Sequence, residues 1–295
     1  MSTEDFIISV YCLVEDIYQK VIIKRLRSKG PMPKLSDSEV ITMEIVGEFS
    51  GLNHDKQIWK YFSTHWLEWF PNIGSRKTFV TQASNLSIIK NIMRNNLAKQ
   101  LGAFSDDIHL FDGFPMPVCH YKRSSKTKLF KSEADYGYCA AKDEKYYGFK
   151  GHLLVSMTGI PTTYTFASAE IDERKLLPEL VSDIKGLVIA DKGLIDFELQ
   201  GNLIAQGINL QTPLRSNMKD DRDKCFVKML VSTRRLIETV IGQLTDRFGI
   251  ANIKARKLWH FSRKVARKIL AYTVAYAINL KINPLNPLQF DKIIN

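Results

Sequence analysis

Two short apolar runs in this chain each lead into an aspartate. Leu187, Val188 and Ile189 precede Asp191 in GLVIADKG, and Ile108, Leu110 and Phe111 precede Asp112 in DIHLFDGFPMPVC. Runs of β-formers of this length predict strands, so two carboxylates arrive at two strand ends. In an open α/β sheet the loops at the carboxyl ends converge on a ligand-binding crevice. Taken singly, either aspartate reads as a turn residue; the functional reading rests on the pair and on whether a third acid joins it.

The third acid is Glu238. A long helix is predicted from about Phe226, with Phe226, Met229, Leu230, Ile237, Val240 and Leu244 on one apolar stripe. Glu238 falls off that stripe. Arg234 and Gly242 stand four residues before and after it, so the three share a flank of the helix. One reading is a surface Arg234–Glu238 pair, worth roughly a few tenths of a kcal/mol; the other is an acid projected toward the strand ends that carry Asp112 and Asp191.

The elements that must position these acids follow from the change of period along the chain. Residues 1–104 read as helical throughout: an apolar repeat from Ile7 to Val21, a capping box of Ser36 with Glu39 opening a helix that ends at Gly51, a helix in HDKQIWKYFSTHWLEWF, and one long helical segment from Ser75. From Asp106 strands appear, in the order β-β-β-α-β-α-β-α: a strand ending at Asp112, a hairpin of KYYGFKGHLLVSM and GIPTTYTFAS turning at Thr158-Gly159, a helix capped by Asp172, the GLVIAD strand, a helix closed by Gly207, the strand INLQTPL and the long last helix. That order predicts an α/β domain, a mixed sheet with helices on its faces, over residues 105–290. The segment from Pro117 to Glu144 is too long for a hairpin connection and is expected to be a functional insertion or a surface loop.

Composition bounds the partner. The 295 residues are 45% hydrophobic and 25% charged, as in an ordinary globular protein, but 42 Lys and Arg face 31 Asp and Glu, a formal net charge of +11. Such an excess favours a polyanion, nucleic acid or an acidic membrane surface. The apolar tract ILAYTVAYAINL is too short and too polar to span a bilayer, and the N-terminus begins acidic without the basic region of a signal peptide. The four cysteines are scattered without a CxxC pair, so a reducing, cytoplasmic location is expected. Cys119-His120 with Cys139 lacks a second spaced pair and is a poor zinc site; His152 reads as a hydrogen-bonded structural histidine. No P-loop, GxGxxG, GxSxG or HExxH is present.

The stretches FDGFPMPVC, YGYCAAKDEKYYGFKGHLLV, VIADKG and RRLIETVIGQLTDRFGI, in this order, resemble those of DDE transposases, most closely the insertion sequence 982 family, and the resemblance runs from about Ser36 to Leu280. It implies a ribonuclease H-like catalytic domain over 105–290, preceded by an all-α DNA-binding region over 1–104. It also implies that Asp112, Asp191 and Glu238 are catalytic and hold two Mg²⁺ ions, with Mn²⁺ able to substitute. Cleaving a phosphodiester and joining the freed 3′-hydroxyl to another strand are in-line displacements that two metal ions stabilise. The implied partners are double-stranded DNA, as terminal inverted repeats and target, and a second copy of the chain in a synaptic homodimer, associated with the bacterial nucleoid when DNA-bound. A related signature of Tyr, Arg, Glu and Lys around the last acid is kept only at Arg234 and Glu238; Val231 and Thr245 stand at the other two places. A transposase-derived DNA-binding protein without catalysis is the alternative, and a nuclease that only hydrolyses is a third; survival of all three acids favours an active enzyme.

Candidate DNA contacts are basic. Arg76 and Lys77 open the helical segment after Ser75, where a helix-turn-helix and a plain amphipathic helix with solvated cations fit equally. Lys122, Arg123, Lys126 and Lys128, with Lys131, crowd the insertion, and Lys192 and Arg234 flank the acids. Between Asp246 and Asp291 there is no acid, while eight Lys or Arg lie from Arg247 to Lys268. On that segment's last helix Lys264, Arg267 and Lys268 share one face and Val265, Ile269, Tyr272 and Tyr276 another, so a helix that packs on one side and offers cations to DNA on the other is expected.

Overall fold

A computed structural model describes residues 1–22 and 32–294. The chain forms two compact units, one of 1–97 with 244–295 and one of 98–243. The last stretch therefore groups with the N-terminal helices, whereas the division expected from sequence puts it with the strands.

In the first unit the helices are α1 (Thr3–Val21), α2 (Asp37–Phe49), α3 (Asp55–His65), α4 (Arg76–Asn85), most of α5 (Ser87–Gln100) and, from the C-terminal part, α10 (Leu258–Ile282). Ser36 caps α2 through the expected box with Glu39, and Gly51, at φ +75°, follows its end. The helical segment expected from Ser75 is two helices, broken at Leu86. Helix α2 is buried along almost its whole length, and α10 is buried on every face from Arg263 to Asn279. Gly47 lets α2 approach α3 closely: a Cβ there would lie 2.6 Å from Ile58 Cγ1.

The second unit is a six-stranded mixed sheet with helices: β1 (Ile108–Pro117), β2 (Asp135–Cys139), β3 (Glu144–Ser156), β4 (Pro161–Ser168), β5 (Gly186–Ile189) and β6 (Ile208–Gln211), in the order β2-β3-β1-β5-β6 with β4 also on β3. Strands β1, β3 and β4 are antiparallel; β1, β5 and β6 are parallel. The short helices α6 (Leu177–Leu180) and α7 (Phe197–Ile204) are the crossover elements on either side of β5, and Leu177, Leu180 and Leu203 pack with Val188, Ile208 and Leu210 in one buried core. Gly186 starts β5 at φ +95°, against the Asp107 carbonyl, 2.4 Å from where a Cβ would stand; only glycine tolerates both the conformation and the approach.

Three further local expectations change. The first strand does not end at Asp112 but continues to Pro117, because β3 goes on pairing with it from Ser156 back to Gly148. The long insertion contains a strand, β2, that extends β3 antiparallel. The last long helix is two, α8 (Lys224–Thr233) and α9 (Arg235–Asp246), meeting at Arg234. Among the described residues no helix is long and apolar enough to cross a membrane.

Candidate active site

The parallel ladder between β1 and β5 ends at the pair Leu110 and Ile189. Asp112 and Asp191 each lie two residues beyond it, so matched positions on two adjacent parallel strands deliver the two carboxylates where the strands part. Asp191 stands at the cap position of the short 3-10 turn Lys192–Leu194, but its side chain caps no amide. Its carboxylate is left for other partners.

Arg234, at the junction of α8 and α9, bridges the pair: Nη1 lies 2.9 Å from Asp191 Oδ1 and Nη2 3.7 Å from Asp112 Oδ2. Its Nε is buried without a hydrogen-bond partner among the described residues. Of the two readings of this flank, the surface pair of Arg234 with Glu238 is not what forms: Arg234 keeps helical backbone angles at the junction, and its guanidinium reaches the two aspartates. Glu238, exposed, sits in the first turn of α9, where the helix dipole favours a negative charge.

Asp112, Asp191, Arg234 and Glu238 line one cavity of about 490 Å³, together with Lys150 of β3 and Glu173 of the turn after β4. Lys150 and Glu173 form an ion pair beside Gly113. A Cβ at Gly113 would come within 2.7 Å of Lys150 Cε, so the glycine after Asp112 makes room for that pair. Arg174 donates from Nη2 to the Gly193 carbonyl at 2.8 Å, tying the turn that carries Glu173 to the loop that carries Asp191. Sequence reasoning misses Lys150 and Glu173: Lys150 lies within one of the resembling stretches without a role there, and Glu173 stands 23 residues away.

Four carboxylates against two cations leave a formal −2 among the described lining residues. Burial pushes the Asp112 carboxyl up to about 6; the Gly113 amide and Arg234 favour its charged form, and Glu173 and Asp191 push the other way. Such a set of hard oxygen donors suits a divalent cation, and the bridging guanidinium already stands in for a positive charge between the two aspartates. Among the described residues no three acidic, imidazole or thiol groups are close enough to hold one ion as the side chains stand; that statement covers Cys119, His120 and Cys139 too, and all four cysteines are free.

The remaining expected residues divide by exposure. Arg76 and Lys77 are exposed in the first turn of α4; Lys122, Arg123 and Lys126 are exposed on the 3-10 turn Tyr121–Lys126, with Lys128 exposed just after it; Lys192 is exposed next to Asp191. Lys264, Arg267 and Lys268 are a correction. They are 8%, 1% and 1% exposed and lie inside the helical unit, where they offer no face to DNA. Arg267 contacts Glu44, Glu48 and Asp55; Lys268 Nζ lies 2.6 Å from Glu48 Oε2; Lys264 Nζ donates to the Lys254 carbonyl at 2.9 Å. The acids that compensate α10 come from α2 and α3, more than 200 residues away in the chain. His152 is also buried, but neither ring nitrogen has a partner among the described residues; the ring stacks on Phe111 instead.

Comparison with known proteins adds the family. Residues 102–258 match the family model described as Transposase DDE domain. No curated protein matches. The chain is similar in fold to the piggyBac transposase solved by cryo-EM as a synaptic complex with hairpin DNA, with a TM-score of 0.50 and 11% identity over 98% of this chain and 76% of that one.

Proposed function

The chain belongs to the family of transposase DDE domains, and from that premise we propose that it is an insertion sequence 982-type transposase whose Asp112, Asp191 and Glu238 cut and rejoin DNA strands. The observation that carries this reading is the matched placement of Asp112 and Asp191 just past the end of the β1–β5 ladder, in one cavity with Glu238. The sheet order supports a ribonuclease H-like fold: an antiparallel β4-β3-β1 meander is followed by the parallel strands β5 and β6, with β2 as an insertion on β3. On this reading the unit of residues 98–243 does the chemistry and the helical unit binds DNA, refining the division at residues 104 and 105.

Asp112, Asp191 and Glu238 would hold the Mg²⁺ ions, which when bound supply charge stabilisation to the attacking and leaving oxygens of an in-line displacement at phosphorus. The chain's own residues prepare that site. Arg234 orients the Asp112 and Asp191 carboxylates, and its charge opposes the burial that favours a proton on Asp112. Lys150 balances Glu173, so that this fourth carboxylate does not add its full repulsion to a phosphate. Lys192, exposed beside Asp191, offers a cation to a strand entering the cavity. No side chain is needed as a covalent nucleophile: the oxygen of water displaces the 3′-oxygen, and the freed 3′-hydroxyl then displaces an oxygen of a second phosphodiester. The partners are the duplex ends of the element and a target duplex, brought together by two copies of the chain in the cytoplasm.

The test is a nicking and strand-transfer assay with Mg²⁺ on a plasmid carrying the DNA that flanks the gene. Asp112→Ala, Asp191→Ala and Glu238→Ala are each expected to lose nicking and joining while retaining duplex binding in gel shifts, since the acids act in the chemical step. Full nicking by one variant would remove that residue from the site. A wild-type protein that binds and never nicks would make this a transposase-derived DNA-binding protein, and nicking without joined products would make it a nuclease.

A further inference from the structure

Burial of Arg267, Lys268 and Lys264 removes the surface that the sequence offered to DNA, and leaves the question of which cations of the helical unit remain free. Three helices of that unit begin close to Asp55. Asp55 is the first residue of α3; its carboxylate takes Arg263, near the start of α10, at 2.6 Å; and it lines a cavity of about 410 Å³ with Lys56 of α3 and Arg76 and Lys77 of α4. Arg263 in turn donates from Nε to His260 Nδ1 at 3.4 Å, which brings in the first turn of α10 and its cap residue Lys257.

At this meeting point the charges have the sign that helix starts disfavour. A helix start carries partial positive charge and is stabilised by acids, yet the first turn of α4 holds Arg76 and Lys77 and no acid, and α10 has no acid in its first turn and Lys257 at its cap. No side chain caps the start of α3 or of α10. Asp55, the one acid among the described residues of the cavity, is already taken by Arg263 and Arg267. Lys56, Arg76, Lys77, Arg256 and Lys257 are exposed and make no ion pair with any described residue. Trp259, 51% exposed, adds an aromatic surface beside His260. The neighbouring histidines register the excess: burial, then Lys264 and Lys254, lower His54, and burial, then Arg263 and Lys257, lower His260, with Asp55 opposing in both. Uncompensated cations set around three helix starts, those of α3 and α10 without a side-chain cap, form an anion site, since free amides and dipole ends add to the side-chain charges.

We propose that the face of the helical unit where α3, α4 and α10 begin docks the phosphate backbone of duplex DNA through Lys56, Arg76, Lys77, Arg256 and Lys257. The choice of DNA among polyanions rests on the nucleotidyl-transfer reading above. The spread of the cations over three helix starts fits a run of phosphates along a strand better than one small anion, and the contacts are of the positioning kind that carries no sequence information.

The experiment measures binding of a random-sequence duplex by fluorescence anisotropy across a salt series, without divalent metal, for the wild type and two variants: Lys56→Ala/Arg76→Ala/Lys77→Ala and Arg256→Ala/Lys257→Ala. Removing one phosphate-neutralising cation flattens log K against log[salt] by about 0.9, so the slopes are expected to fall by up to about 2.7 and 1.8 units. Lys281→Ala, at the far end of α10 and equally exposed, is expected to leave the slope unchanged. All five positions are on the surface, and circular dichroism verifies that the variants fold. Unchanged slopes in both variants would overturn the proposal, as would variants that lose binding to phosphatidylserine vesicles and keep the DNA slope. Metal-dependent nicking with unchanged slopes would remove this surface alone; flattened slopes in a protein that never nicks would leave the surface standing and remove the catalytic reading.

Discussion

Replacing Arg267 by methionine separates the two roles open to the basic stretch of α10. The side chain is 1% exposed, and its guanidinium is shared by Glu44, Glu48 and Asp55. Breaking a buried ion pair by removing one partner costs about 3–5 kcal/mol, because the remaining charge is left without compensation. Here each acid keeps one cation: Glu44 keeps Lys90, Glu48 keeps Lys268 and Asp55 keeps Arg263. The loss is therefore expected at the lower end, about 3 kcal/mol, with the methionine filling most of the vacated volume. In urea unfolding, with a slope of about 3 kcal/mol/M, that loss moves the midpoint of the helical unit down by about 1 M. Arg267→Lys keeps the charge but loses the fork that serves three carboxylates, and falls between the two. Adding Glu48→Gln to Arg267→Met removes an acid that has lost one of its two cations, so the pair is expected to be less destabilising than the sum of its members by more than about 0.5 kcal/mol. The salt slope of DNA binding, measured well below the unfolding transition, is unchanged. An Arg267→Met protein within about 0.5 kcal/mol of the wild type, with a flattened salt slope, would refute this reasoning and put the side chain on the surface.

Two further outcomes follow from the buried titratable groups. Burial lowers His152 from 6.5 to about 4, with Lys150 adding to the effect, so the folded chain refuses a proton that the unfolded chain accepts as the pH falls below 6.5. Stability is full above that value and is lost between 6.5 and 4; at pH 5 the loss is about 2 kcal/mol relative to pH 8. Urea titrations of the wild type and His152→Phe at the two pH values measure it, and an acid sensitivity that persists undiminished in His152→Phe would assign it elsewhere. Arg234→Gln removes a cation that opposes the effect of burial on Asp112, so the Asp112 carboxyl is expected to rise above its present value of about 6; a ¹³C NMR titration of labelled aspartates in which it stays or falls would show that the guanidinium does not bridge the two acids in solution.

What the sequence determined is what neighbouring residues decide among themselves. Ser36 and Glu39 close their capping box within one turn, Asp196 caps α7 from the adjacent position, and Gly207 takes φ +81° just after it. Short runs of β-formers mark β1, β3, β4 and β5, because each strand's preference is written along its own length. The three acids were legible for the same reason, being polar residues that interrupt or leave such patterns. The tertiary structure decided the rest. Whether β1 stops at Asp112 depends on how far β3 continues beside it, and whether the insertion contains a strand depends on the edge of β3 that β2 finds. Arg234 pairs with Asp112 and Asp191 rather than with Glu238 because the fold brings those two carboxylates within its reach, and Lys150 and Glu173 enter the cavity only when β3 and the turn after β4 meet beside Gly113. The basic stretch of α10 is the clearest division between the two. Locally it has no acid for many residues in either direction and reads as a surface for DNA, but Glu44, Glu48 and Asp55 reach it across more than 200 residues of chain. Charge compensation acts through space, so a window along the sequence counts the cations and misses the carboxylates that the fold places against them.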